Sequence, residues 1–575
     1  MNGVENNLDI KTYDIPTDSD PVHDNPIISN ILLSRGIVDR KQADLGLASL
    51  SHYDTLPDIK KAVKIISLAI EHNKNILIIG DYDADGATST SVAVMGLQRL
   101  GAKNVRWLIP ARLTMGYGLN NNLLEQIYQK KPNLIITVDN GISATETCQT
   151  LSEEGIEVII TDHHLPPETL PNATAIVNPK LAENEFALSN LSGVGVMFYV
   201  LIALRAYLSE QKILTQKINL ADLLSLVAIG TLADLVPMDK NNRILVHNGL
   251  LKIKNQQCPM GVLQICQIAN INPADINSVD IGFKIAPNIN AAGRIHQMDV
   301  AVECLISSNY ETCNKKAHEL KKLNNQRKIT SSKMKDEAES QLIGIKKILN
   351  SHHDLFGICL YDESWHEGII GIIAGKICEQ MNLPVIIFTN SYDDNILRGS
   401  ARSTHKINLK NMLDNFYQIH KDKILKYGGH AMAAGLSIKK DFLTEFSLLF
   451  NQECGKLLKN KSLKKEILTD GQLNPVNRNP IFVRNLQEVM PWGMGLAEPV
   501  FYDDFIVLSY KILQNKFTKM FIKDKNGSST WNVIYFGGVI DTKKGDEITI
   551  VYKLSINNFY NKPDVQLIVQ NYTLK

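Results

Sequence analysis

The chain has 575 residues, more than one hydrophobic core ordinarily supports, so three or four domains are expected. Hydrophobic residues make up 44% and charged residues 21%, the balance of a core-forming protein rather than a disordered one. The formal charge of +1 excludes a polyanion-binding character spread over the whole surface, so any nucleic-acid surface must be local.

The polar N-terminus, MNGVENNLDI, lacks the apolar core of a signal peptide, and residues 1–56 are set apart as an N-terminal cap segment. No apolar run approaches the ~20 residues of a membrane-spanning helix. The eight cysteines form no C-x-x-C pair, which argues against a structural zinc site or a disulfide scaffold. A reducing cytoplasm is the expected compartment.

From about Pro57 to Pro179, short apolar strands alternate with helices. NILIIG is followed by the helical TSTSVAVMGLQRL, then by VRWLIP, NLLEQIYQK, NLIITVD, SATETCQTLSEEG, EVIITD and AIVNP. This alternation predicts a parallel sheet covered by helices on both faces, within a first domain spanning 57–308. A helical stretch, ADLLSLVAIGTLADLV, follows it. Between Lys315 and Lys347 the chain reads as one long helix with ten Lys/Arg against four Asp/Glu. A solvated connector and a basic helix lining a nucleic-acid channel both fit that charge run; the bridge is assigned to 309–350.

A second α/β domain is expected over 351–460, from LFGICLY, GIIGIIAGKICEQM, PVIIFT, RGSARS and a helix near Leu409–His420. GIIGIIAGK lacks the spacing of a phosphate loop, and its small residues are read as helix-to-sheet packing. After the lysine-rich KLLKNKSLKKEI the chain becomes strand-rich: FIVLSYKIL, FTKMFIKD, TWNVIYF, DEITIVYKL and VQLIVQNYTL. Five short strands predict a small β-barrel over 468–575, of which the OB-fold is the commonest nucleic-acid-binding kind.

Acidic and histidine residues recur where a parallel sheet places its chemistry. Asp81, Asp83 and Asp85 follow the first strand, Asp139 ends NLIITVD, Asp162, His163 and His164 end EVIITD, and Asp234 lies in GTLADLVP. Ligands of open α/β sheets bind at the carboxyl ends of the strands, and three of these groups fall there independently. Asp81–Gly86 resembles the opening of a calcium loop, but the twelfth position is Val92 and the preceding segment is a strand, so that reading fails. Gly86 is expected to let the backbone turn sharply. A single Asp at a strand end is as often a helix cap as a ligand, whereas this many converging carboxylates require a cation. Carboxylate with imidazole suits Mn²⁺ or Mg²⁺. His163 is read as a ligand and His164 as a group facing the substrate phosphate.

DYDADG, VDNG, TDHH and a helical LADLVP resemble the successive motifs of the DHH phosphoesterases. IPARLTMGYGLN, LSGVGVMFY, APNINAAGRI, GSARS, YGGHAMAAGLSI and PWGMGLAEPVF narrow the resemblance to the RecJ-type exonucleases, in order and over nearly the whole chain. It implies a DHH domain and a DHH-associated domain facing each other across a channel, a long bridging helix, and an OB-fold. It implies two Mn²⁺ or Mg²⁺ ions held by Asp83, Asp85, Asp139, His163 and Asp234, with Asp81 and His164 in support. Asp139 and His164 carry the catalytic assignments. Arg294 and Arg327 are the candidates for reading a 5′-terminal phosphate, Arg112 and Arg402 for backbone phosphates, with Ser400 and His430 as further substrate contacts; a satisfied histidine in a Gly-rich turn is the plainer reading of His430.

The implied activity is 5′→3′ degradation of single-stranded DNA to 5′-mononucleotides in recombination and repair, by a monomer. Single-strand-binding protein and a RecQ-type helicase are the implied partners. The competing readings are a DHH hydrolase of pyrophosphate, short oligonucleotides or cyclic dinucleotides, and a DHH-fold scaffold that binds DNA without cutting it. The extra barrel and basic helix favour a polymer, and the intact acidic set opposes the scaffold.

Overall fold

The computed structural model describes residues 9–17, 19–112, 115–182, 188–214, 216–349, 355–458, 466–514, 516–557 and 563–575. A short strand, β1 (Asp9–Thr12), comes first, and its partner lies near the other end of the chain. Five strands then form one parallel sheet: β2 (Ile76–Ile79), β3 (Val105–Leu108), β4 (Leu134–Val138), β5 (Glu157–Thr161) and β6 (Ala175–Val177). Their spatial order is β3-β2-β4-β5-β6. Every residue of β2 and β4 is buried, as strands covered on both faces must be. Ile76 and Ile78 enter one core with Ile66, Val94 and Leu97, while Leu77 and Ile79 enter the other with Ile127 and Leu151. The strand order reverses between β2 and β4, so the loops leaving their carboxyl ends part and open a crevice.

The helices that frame the crevice are α1 (Ala84–Arg99), α2 (Gly193–Glu210), α3 (Leu224–Ala233), α4 (Lys240–Lys254) and α5 (Ala286–Ile295). Among the described residues α2 is the one helix long and apolar enough to cross a membrane by composition, and 67% of it is buried inside the protein. It is a core helix, with Val194, Met197, Leu201 and Leu204 fully buried.

A 40-residue helix, α6 (Tyr310–Leu349), continues the chain. At 1.5 Å per residue it is about 60 Å long. Leu320 and Leu323 belong to the large first core, and Met334, Ala338 and Leu342 to a second, so one element is built into both domains. The second domain carries β7 (Ile358–Tyr361), α7 (Glu367–Met381), β8 (Val385–Asn390), β9 (Ile396–Arg402), β10 (Ile424–Gly429) and β11 (Ala433–Lys439). Its sheet has the order β10-β11-β9-β8-β7, parallel only between β7 and β8.

The lysine-rich break falls largely on residues 459–465, outside the described residues. Beyond it, β12 (Glu466–Thr469) pairs in parallel with β1. The remaining strands, β13 (Phe501–Leu513), β14 (Phe517–Asp524), β15 (Thr530–Tyr535), β16 (Glu547–Asn557) and β17 (Asp564–Leu574), close a barrel in the order β13-β14-β15-β17-β16. Only β15 and β17 run parallel.

Candidate metal and phosphodiester site

The loop from β2 into α1 places three aspartates within five residues. Asp83 caps α1 by accepting from Gly86 N at 2.9 Å, so it is a helix cap as well as a member of the cluster. Gly86 does not make the sharp turn expected of it. It lies in the first turn of α1, and a Cβ there would stand 2.4 Å from Asp81 O, so its smallness serves a close approach. Asn290 on α5 fastens the same loop by accepting from Ala84 N at 2.8 Å.

Asp85 is 1% exposed and is gripped by the N-terminus of α2: Gly193 N donates to Oδ2 at 2.7 Å and Val194 N to Oδ1 at 3.0 Å. Asp139 leaves β4 with φ of 63°, the left-handed region, and packs where a Cβ on Gly193 would lie 2.4 Å from its own Cβ. A backbone held in that region at a site is strain retained by its surroundings. Asp234 ends α3, its N–H still bonded to Gly230 O at 2.9 Å, and Leu235 at φ 60° turns the chain away.

These segments converge. His163 Nε2 lies 3.1 Å from Asp139 Oδ1 and 3.5 Å from Asp234 Oδ2. Nε2, Asp139 Oδ1 and Asp81 Oδ1 are nevertheless buried without a hydrogen-bond partner. Three sets of ligand atoms, Asp81–Asp83–Asp139, Asp85–His163–Asp234 and Asp139–His163–His164, each fall within 4.8 Å. Buried polar atoms close together and aimed at common points, rather than at one another, fit metal ligation.

The electrostatics say the same. Burial, then the neighbouring carboxylates, push Asp81 and Asp139 well above the ordinary carboxylate range. Burial followed by Asp83 raises Asp85 to about 7, and burial followed by Asp85 and Asp83 raises Asp234 to about 9. Burial and the His164 charge lower His163 to about 4, leaving its imidazole neutral as a ligand must be. Carboxylates packed this closely ionise together only when cations neutralise them.

His164 is different in kind. Its Nδ1 is 2.8 Å from Asp162 Oδ1, and Asp162, itself 1% exposed, also accepts from Ile142 N at 2.9 Å. Burial alone would lower the imidazole, but the Asp162 bond and the carboxylates of Asp234 and Asp81 raise it to about 9. Sequence reasoning named Asp162 within TDHH without giving it this role. It also passed over Tyr117, whose hydroxyl donates to Asp139 O at 3.2 Å and lies 3.5 Å from the His164 ring nitrogens. The motif IPARLTMGYGLN held Tyr117, though Leu113 and Thr114 within it lie outside the described residues.

Near the carboxylates stands a group of cations. Arg112 sits 4.9 Å over the Tyr82 ring, inside the Asp81–Asp83 loop. Burial, then Arg112 and Arg327, push Arg294 down to about 10; burial, then Arg112, lowers Arg402. Arg294 spends one nitrogen on Gly368 O of α7 at 3.0 Å, joining the two domains. Arg327 on α6 keeps a buried Nε without a partner. Along β9 the alternation puts Ser400 and Arg402 on one face, with Arg402 Nη1 donating to Ser400 Oγ at 3.3 Å and Gly371 of α7 close by. No carboxylate pairs with Arg112, Arg294, Arg327 or Arg402 among the described residues. Cations gathered so close together, beside the carboxylates, suit an anion from outside. His430 is exposed in the β10–β11 turn, its N–H bonded to Ala433 O at 2.8 Å.

Comparison with known proteins agrees in register. The DHH family N-terminal domain matches residues 75–231, the DHHA1 domain 354–456 and the RecJ OB domain 469–571. A single-stranded-DNA-specific exonuclease RecJ of Haemophilus influenzae is 39% identical over 93% of this chain and 93% of its own length. The Escherichia coli protein of that name is 35% identical over 93% and 94%. The crystal structure of RecJ with Mn²⁺ from Thermus thermophilus superposes with a TM-score of 0.79, at 25% identity, over 98% of this chain and 79% of that one.

Proposed function

The chain belongs to the RecJ family of single-stranded-DNA-specific exonucleases, and from that membership we propose that it hydrolyses single-stranded DNA stepwise from the 5′ end at the Asp81–Asp234 cluster. One observation carries the reading: a carboxylate–histidine cluster and a group of arginines without carboxylate ion pairs lie close enough to act on one another's charge. The first suits a scissile phosphate with its cations, the second a further phosphate of the same strand. A small-molecule hydrolase has no use for the barrel and the built-in bridging helix, and an inert scaffold none for an intact ligand set.

The enzyme is a metal-dependent nuclease. Asp83, Asp85, Asp139, His163 and Asp234 would hold two divalent cations, Mn²⁺ or Mg²⁺, with Asp81 beside them. When bound, such cations activate water and neutralise charge on the phosphoryl oxygens. The protein supplies the rest. The N-terminus of α2 fixes Asp85, and the strained turn at Asp139 fixes the carboxylate common to two of the ligand sets. Asp162 orients His164 through Nδ1 and leaves Nε2 to donate to a phosphoryl oxygen or to the departing 3′ oxygen. Arg294 and Arg327 bind the 5′-terminal phosphate and Arg112 and Arg402 the backbone phosphates that follow it, with Ser400 and His430 as further contacts along the same path. The barrel and α6 extend the path for a strand, by stacking and positive charge. Single-strand-binding protein and a RecQ-type helicase in a bacterial cytoplasm complete the reading as partners and setting.

The test compares oligonucleotides bearing a 5′-phosphate or a 5′-hydroxyl. The parent should prefer one of these ends, and Arg294→Ala and Arg327→Ala should each erode that preference at least ten-fold. A preference left intact in both variants would remove the arginine group from end recognition.

A further inference from the structure

Outside the ligand cluster, one buried amide joins the turn before α2, whose first N–H groups hold Asp85, to the turn that follows Asp234. Asn242, in the first turn of α4 and 1% exposed, donates from Nδ2 to Asn190 O at 2.7 Å and to Pro237 O at 2.9 Å. Asn190 stands just before Ser192, the N-cap of α2, whose next two N–H groups grip Asp85. Pro237 stands three residues after Asp234, beyond the left-handed Leu235. The tie is closed on each side. Asn190 Nδ2 donates to Asp239 Oδ2 at 3.2 Å, Asp239 Oδ1 caps α4 at Asn242 N, and Arg243 Nη1 donates to Met238 O at 3.0 Å. On the inner side, Ser192 Oγ and Thr231 Oγ1 are 3.0 Å apart, linking the same two elements.

We propose that Asn242 is a positioning residue for the metal centre, setting the separation of the Asp85 and Asp234 carboxylates by holding the Asn190 and Pro237 turns at a fixed distance. The inference rests on the reading of Asp85 and Asp234 as ligands. Asn242 Oδ1 is itself buried without a partner, so the amide stands here with one end unsatisfied. What an apolar side chain cannot do is donate to two carbonyls on separate turns. Outer groups that orient ligands typically govern ~10–100-fold in metal affinity.

Asn248 on the same helix supplies the control. Its Nδ2 also donates to two carbonyls, Leu45 O and Ile244 O, both at 2.8 Å, but neither leads to a ligand. In the full-length protein, Mn²⁺ affinity would be measured by electron paramagnetic resonance for Asn242→Ala, Asn248→Ala and Asp234→Asn, with melting temperature alongside. The expected result is at least ten-fold weaker Mn²⁺ binding in Asn242→Ala, Asn248→Ala within two-fold of the parent, and turnover in Asn242→Ala largely recovered at saturating Mn²⁺. Single-strand binding in EDTA should stay within two-fold. Should Asn242→Ala not fold, Asn242→Ser, whose single hydroxyl hydrogen can serve at most one of the two carbonyls, is read in its place, and it too should weaken Mn²⁺ binding. A folded Asn242→Ala, or Asn242→Ser in its stead, with parental Mn²⁺ affinity overturns the proposal. Parental affinity in Asp234→Asn would overturn the ligand reading, and the proposal with it.

Discussion

Asp139 shows how much of the site is decided by neighbours that carry no charge. Its backbone is left-handed and its side chain fills the space a Cβ on Gly193 would need, while a Cβ on Gly230 would stand 2.6 Å from Asp85 Oδ1. Gly193→Ala should therefore displace Asp139, reducing Mn²⁺ affinity and turnover by at least ten-fold with circular dichroism unchanged. The ligand residue types were legible from their recurrence at strand ends. The glycines were legible only as motif letters, because a close approach of distant segments leaves no local signature. Asp162 escaped assignment for a related reason: its partner is the next residue but one, and the pattern TDHH does not say which of its groups turn inward.

The same carboxylates dictate a pH dependence. Asp85 and Asp234 have folded values of about 7 and about 9, far above the usual carboxylate value, so the folded chain holds protons that the unfolded chain has released. Where the folded state binds more protons, stability falls as pH rises. In EDTA the melting temperature should decline from about pH 4 to about pH 9, as these protons are lost at a growing penalty. Saturating Mn²⁺, which binds the deprotonated ligands, should raise it most at the alkaline end. A metal-free protein whose melting temperature is flat over that interval would contradict the electrostatic account.

At the scale of elements, period and turn chemistry predicted the central parallel sheet, the bridging helix and all five barrel strands. The pair β10–β11 went unread as strands, since glycines and exposed positions hide their alternation: Leu425, Lys426, Gly428 and Gly429 all face solvent. The pairing of β1 with β12 was illegible altogether, because its partners are more than 450 residues apart. Arg35, stacked 3.9 Å over Tyr13 and paired with Asp470, both side chains almost fully buried, locks that junction. In the segment that packs on the barrel, Arg478 is a buried hub. It donates to Asp524 Oδ1 at 2.5 Å, Asp503 Oδ2 at 2.6 Å and Leu473 O at 2.8 Å, and lies 3.0 Å from the Tyr552 hydroxyl. Truncating one member of a buried ion network strands the others. Arg478→Ala should cost about 3–5 kcal/mol in denaturant unfolding of the barrel; a loss under 1 kcal/mol would mean the carboxylates find water instead.

For the whole molecule, a formal charge of +1 conceals a sharp local division. Carboxylates and arginines stand side by side at the site, and the barrel carries Lys511 directly opposite Lys519 in the β13–β14 pair. Like charges facing across a strand pair are unfavourable unless a polyanion lies over them. Replacing both lysines with alanine should weaken single-strand binding for every sequence and flatten its salt dependence by about 1.4, at ~0.7 per phosphate contact. An unchanged slope would take this hairpin out of the DNA path. Domain order was readable from changes in the strand–helix pattern. That α6 is built into both cores was not, since its buried positions emerge only once the two domains stand beside it.

The most direct test of a metal-dependent exonuclease working from the 5′ end is the degradation of one single-stranded oligonucleotide, labelled at either terminus, with Mn²⁺ and with EDTA. The account predicts prompt release of labelled mononucleotide from the 5′-labelled strand, progressive shortening of the 3′-labelled one, and neither in EDTA or in Asp139→Ala. Release from the 3′ end first, persistence in EDTA, or an intact strand alongside cleaved dinucleotides would contradict it.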